Sequence, residues 1–92
     1  MSSSIDYDEL EKSFECACQD VIGELKTQYQ DHYHGTGKLE AFFELIKNQF
    51  DNVVDIFSSN QKINGDKEAM RRILSIAKGH AKKCLDFYAK VD

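Results

Sequence analysis

"LEAFFELIKNQFDNVVDIFS", residues 39–58, decides how this chain folds. Leu39, Phe42, Phe43, Ile46, Phe50, Val53, Val54 and Phe57 recur at spacings of three and four. At 100° per residue they share one face of an α-helix, and the pattern persists for about five turns. A strand would require alternation with period two, which this stretch lacks. Four phenylalanines on one stripe give this segment the bulk of a hydrophobic core. The predicted helix spans about 37–58.

The same period continues on both sides. Toward the amino end, Leu10, Phe14, Ala17, Cys18, Val21, Ile22, Leu25, Tyr29 and Tyr33 mark a helix over about 6–33. Asp6 and Glu9 have the spacing of a capping box, and the acidic first turn suits the positive end of the helix dipole. Toward the carboxyl end, Met70, Ile73, Leu74, Ala77, Ala81, Cys84, Leu85, Tyr88 and Val91 mark a third helix over about 64–91. Asn64-Gly65-Asp66 is a turn signal, with Asn64 as the expected cap. There is no proline, which costs ~3 kcal/mol inside a helix. Short connectors make consecutive helices antiparallel and leave the first and third parallel. The expectation is an all-α protein: a small antiparallel three-helix bundle in a single domain over 1–92, with residues 1–5 a flexible tail.

The net charge of −4 is unevenly spread. Residues 1–61 hold 12 acidic and 4 basic side chains, and residues 62–92 hold 4 acidic and 8 basic. Opposite charges this close in a small fold neutralise one another first. Three cysteines with no framework spacing fit a reducing compartment. The start lacks the basic and apolar regions of a signal peptide, and no run approaches the roughly 20 apolar residues of a membrane span. These features predict an intracellular protein, cytoplasmic or nuclear, with no membrane association. A pI near 5.3, and no aromatic interleaved with the basic residues of the third helix, argue against a nucleic-acid partner.

The stretch most suggestive of chemistry is "HYHGTGKLE", residues 32–40. A phosphate-binding Walker loop needs a glycine where His32 stands, a Ser or Thr where Leu39 stands, and a strand before it. All three conditions fail. The corner has a structural reading instead: Gly35 ends the first helix, His32 and His34 sit at its negative end, and Thr36 caps the second. Free N–H groups beside Lys38 and His34 leave a small-ligand or anion-binding role for His32–Lys38 as the alternative function. His80 and Cys84 have the helical i, i+4 spacing of a ligand pair, but the bundle keeps His32 and His34 about 15 Å away along the axis. Cys16 and Cys18 point to different sides of their helix, Cys18 inward and Cys16 outward. Residues 75–83, "SIAKGHAKK", are similar to the Lys-Gly motif of histidine phosphotransfer domains. The position of the phospho-accepting histidine is Ser75, so the resemblance assigns no residue a role. No catalytic residue, metal or cofactor is predicted.

What remains is interaction. Leu45 and Ile56 on the second helix are apolar residues off the main stripe, as are Ala69, Ile76 and Phe87 on the third, which flank His80. The expectation is a non-enzymatic interaction module, an adaptor or small subunit of a multiprotein complex. Its partner-binding residues would be Leu45, Ile56, Ile76, His80 and Phe87 on an apolar seam of helices two and three. Arg71, Lys78 and Lys82 would steer an acidic partner. The partner would be an amphipathic helix, a helical subunit or a second copy in a homo-oligomer.

Overall fold

The computed structural model describes residues 6–35 and 37–91, the side chain of Val91 excepted. The expected tail over 1–5, the Thr36 cap and the core role of Val91 lie outside the described residues. Helix α1 spans Tyr7–Gln28 and continues into one π-helical turn, Tyr29–Tyr33. Helix α2 spans Leu39–Gln61 and α3 spans Lys67–Val91. The described residues hold no strand. The three helices pack as an antiparallel bundle.

Aromatic contacts set the register. Phe14 meets Phe57 edge-on at 5.0 Å and Tyr29 meets Phe42 at 5.0 Å, so α1 and α2 run in opposite senses. Phe42 meets Tyr88 at 4.6 Å, and Phe50 stacks on His80 at 6.4 Å, so α2 and α3 do the same. Tyr29, Phe42 and Tyr88 close a triangle of rings, one from each helical segment, with the third side 4.7 Å. Phe14, Phe42, Leu25, Ile46, Ile73 and Cys18 are fully enclosed.

The helix ends differ from the sequence expectation in instructive ways. Asp6 does cap α1, its carboxylate accepting the Glu9 N–H at 3.2 Å. The Tyr29 N–H is shared between the Leu25 and Lys26 carbonyls, and the turn that follows, Tyr29–Tyr33, widens into the π form. The widened turn accompanies Tyr29 into the ring triangle and Tyr33 onto Phe42 at 5.5 Å. Helix α2 passes Ser58 and continues to Gln61. Ser58 is buried, and its hydroxyl donates to the Asp55 carbonyl rather than ending the helix. Lys62 then takes the left-handed conformation, φ 57° and ψ 43°. Its N–H bonds to the Ser59 carbonyl and that of Ile63 to Ser58, a Schellman closure sealed by burial of Ile63. Asp66, not Asn64, caps α3: its carboxylate accepts the Ala69 N–H at 3.0 Å.

The buried arc of α3 is also rotated from expectation. Ala69 is fully enclosed and Leu74 is 41% exposed. The helix packs on both neighbours at once, so its arc centres on Ala69, Ile73, Ala77, Cys84 and Tyr88. Leu74 stands about 100° around the helix from Ile73 and is left at the edge.

Phe50→Ala should lower stability by about 3–5 kcal/mol, since the ring is 3% exposed and its removal leaves a cavity in the core. Leu74→Ala should cost less than about 1.5 kcal/mol. Thermal melts followed by circular dichroism separate the two. Equal losses would contradict the observed phase of α3.

Candidate interaction face between the first and third helices

Two parallel helices leave a furrow along their outer side. Its first end is held by Arg72, whose guanidinium bonds to Glu11 at 3.1 Å and to Glu68 at 2.8 Å and lies 4.7 Å from the centre of the Tyr7 ring. The Tyr7 hydroxyl donates to the Asp66 carboxylate at 3.3 Å. Hydrogen bonds from Arg71 and then Arg72 hold the Glu68 carboxyl below the ordinary range. Burial, then the Asp66 charge, raises the Tyr7 phenol. The Glu68–Arg72 spacing is readable on the helix. The bonds across to Glu11 and Tyr7 are not.

Beyond Arg72 the furrow opens into two hollows. The first, about 370 Å³, is lined by Asp8, Glu11, Lys12, Glu15 and Ile76. The second, about 390 Å³, has Ile22, Cys84 and Tyr88 on its walls, Phe87 beside them and Lys26 and Lys83 at its rim. Between them His80 Nε2 sits 2.6 Å from Glu15 Oε1. That contact joins α3 to α1 while the imidazole lies flat on Phe50 of α2. Phe87 is 57% exposed, a large ring left to solvent except where its edge meets Tyr88 at 5.0 Å.

The residues predicted for partner binding divide between faces. Ile76, His80 and Phe87 share the α1/α3 furrow. Leu45 and Ile56 lie elsewhere. They are eleven residues apart and within about 20° of each other on α2. The groove between α2 and α3 holds Lys47, Phe50, Asp51 and Val54 on the other flank of that helix. Leu45 packs partly on the core, and Ile56 is 53% exposed. The structure therefore does not unite these five residues in one seam of helices two and three. Arg71 is paired with Glu68, Lys78 lines the α2/α3 groove, and Lys82 is exposed. The α1 side of the furrow, with Ile22 and Lys26, was absent from the sequence expectation. Among the furrow-lining residues of α1, Asp8, Glu11, Lys12 and Glu15 at the first hollow give way to Lys26 at the second, a trend that Asp20 and Glu24 mask in the sequence.

At the other candidate corner, His32, His34 and Lys38 are exposed, and His34 meets the Tyr29 ring at 5.8 Å. Gly35 and Gly37 hold φ of 128° and 85°, values that L side chains rarely adopt. Lys38 precedes α2 without a side-chain cap. Among the described residues no group of three or more His, Cys, Asp or Glu side chains is placed to hold a metal. No helix among them is long and apolar enough to cross a membrane.

The three thiols differ sharply. Cys16 is exposed, whereas Cys18 and Cys84 are buried. Burial, with the Glu15 charge second, pushes the Cys18 thiol up to about 11, and burial raises Cys84 as well. Both stay protonated and unreactive at neutral pH. Maleimide labelling of the native protein should modify Cys16 rapidly and reach Cys18 and Cys84 only in denaturant, as read by peptide mass spectrometry.

No protein-family model, curated protein or solved structure matches the chain.

Proposed function

We propose that this chain is a protein-interaction module, an adaptor or small subunit of a larger assembly, that receives a helix on its α1/α3 face. The observation that carries the reading is Phe87, 57% exposed beside a hollow walled by Ile22, Cys84 and Tyr88. Burying a phenylalanine side chain is worth about 1.5–3 kcal/mol. A surface that leaves this term unused gains it when a partner covers the ring. Aromatic anchors in desolvated pockets dominate binding at protein interfaces. Lys26 and Lys83 at the rim favour acidic residues beside the partner's apolar stripe.

Catalysis has less support. The furrow's imidazole and thiol, His80 and Cys84, are engaged with Glu15 and held protonated by burial respectively. Neither makes a nucleophile and base pair without a further group.

Phe87→Ala should leave the melting temperature within a few degrees of the parent, because the ring is largely solvated. It should weaken binding of a synthetic amphipathic helix with acidic flanks by at least about tenfold. Fluorescence anisotropy against matched peptides with acidic and basic flanks measures this. Equal affinity for both peptides, or indifference to the loss of Phe87, would refute the reading.

A further inference from the structure

The α1/α3 face is complementary to itself. Its charges are sorted along the helices, acidic around Ile76 and basic around Phe87. Asp8, Glu11, Glu15 and Glu68 at the first end outweigh Lys12 and Arg72, whereas Lys26 and Lys83 flank the second hollow. Ile76 and Phe87 are eleven residues apart, which puts them within about 20° of one another and roughly 16 Å apart along α3. Glu15 and Lys26 are also eleven residues apart, on the parallel helix.

These equal spacings are in register. The Glu11–Arg72 bond spans 61 positions, so each point on α1 is level with a point about 61 residues later on α3. The midpoint between Glu15 and Lys26 is then level with the midpoint between Ile76 and Phe87. One two-fold axis, lying in the plane of the interface at that level and perpendicular to the helices, exchanges both pairs. A second copy turned about it sets its Phe87 over the hollow beside Ile76, and its Lys26 opposite Glu15. The same contacts form twice, as an isologous interface requires.

Resting on the reading of this face as a helix-docking surface, we infer that its occupant is a second copy of this chain, bound antiparallel about a two-fold axis. Two α1/α3 pairs then pack face to face as a four-helix bundle, with the Phe87 rings buried and the lysines matched to carboxylates. A parallel arrangement would set acidic end against acidic end, and like charges disfavour it.

Sedimentation velocity over a concentration series tests this with Lys26→Glu and Glu15→Lys. The parent should dimerise. Each variant alone should do so at least about tenfold more weakly, because both copies of the 15–26 contact then join like charges. Mixed in equal amounts, the two should form a heterodimer near parental affinity, since both contacts again join a carboxylate to an ammonium. Circular dichroism melts check that each variant is folded. If Glu15→Lys unfolds through loss of the His80 contact, Lys26→Glu and Phe87→Ala carry the test on their own. Phe87→Ala should be folded and monomeric. A parent that stays monomeric at millimolar concentration overturns the inference, as does failure of the mixture to recover association. A monomeric parent that still binds the acidic helical peptide through Phe87 overturns the second copy alone. Loss of both overturns the docking face with it.

Discussion

The triangle of Tyr29, Phe42 and Tyr88 is the contact on which the arrangement of this bundle depends. Each ring comes from a different helical segment, and the centroids stand 4.6–5.0 Å apart. Edge-to-face and tilted rings are worth about 0.5–1.5 kcal/mol per pair beyond the area they bury. Their geometry also fixes axial register, since sliding any helix by one turn would break two of the three contacts. The π turn at Tyr29–Tyr33 belongs to this constraint. A widened turn is a poorer helix, tolerated here where Tyr29 joins a packed cluster.

The opposite end is held by different chemistry. Arg72 gathers Glu11, Glu68 and the Tyr7 ring, and Asp66 both caps α3 and receives the Tyr7 hydroxyl. These groups are partly exposed, so each ion pair adds little to stability by itself. Their contribution is directional: a planar guanidinium shared among three partners fixes how α1 enters beside α3. The bundle is thus clamped by rings at one end and by a guanidinium at the other. Between the clamps, α1 and α3 are joined by His80 and Glu15, with open hollows on either side.

That arrangement bears on function. A chain of 92 residues has a large surface relative to its core and little stability to spare. Leaving Phe87 in water forgoes part of what a small core can gain. The face where this happens is also the face on which charge is segregated. Both features sit on a pair of packed helices rather than on a loop, and both fit the proposed docking of another helix.

Periodicity and capping are local properties of the chain, and they were legible. The stripe through Phe50, the burial of Phe14 and Cys18, the outward Cys16 and the Asp6 cap all follow from residues within a few turns of one another. The bundle itself followed from three such stripes and two short connectors. Other features depended on neighbours distant in sequence. Lys62 closes α2 because burial of Ile63 draws the chain into a left-handed turn, and Asp66 rather than Asn64 caps α3 where it can also meet Tyr7. Ala69 is enclosed and Leu74 exposed because α3 packs against two helices, and its own pattern cannot say on which side of the α1/α2 hairpin it lies. Identical stripes fit either placement of the third helix. Only the tertiary structure chose between them, and that choice put Ile76, His80 and Phe87 beside α1, away from Leu45 and Ile56. A helix carries its buried face in its sequence, but the open flank of a bundle is defined by two helices together.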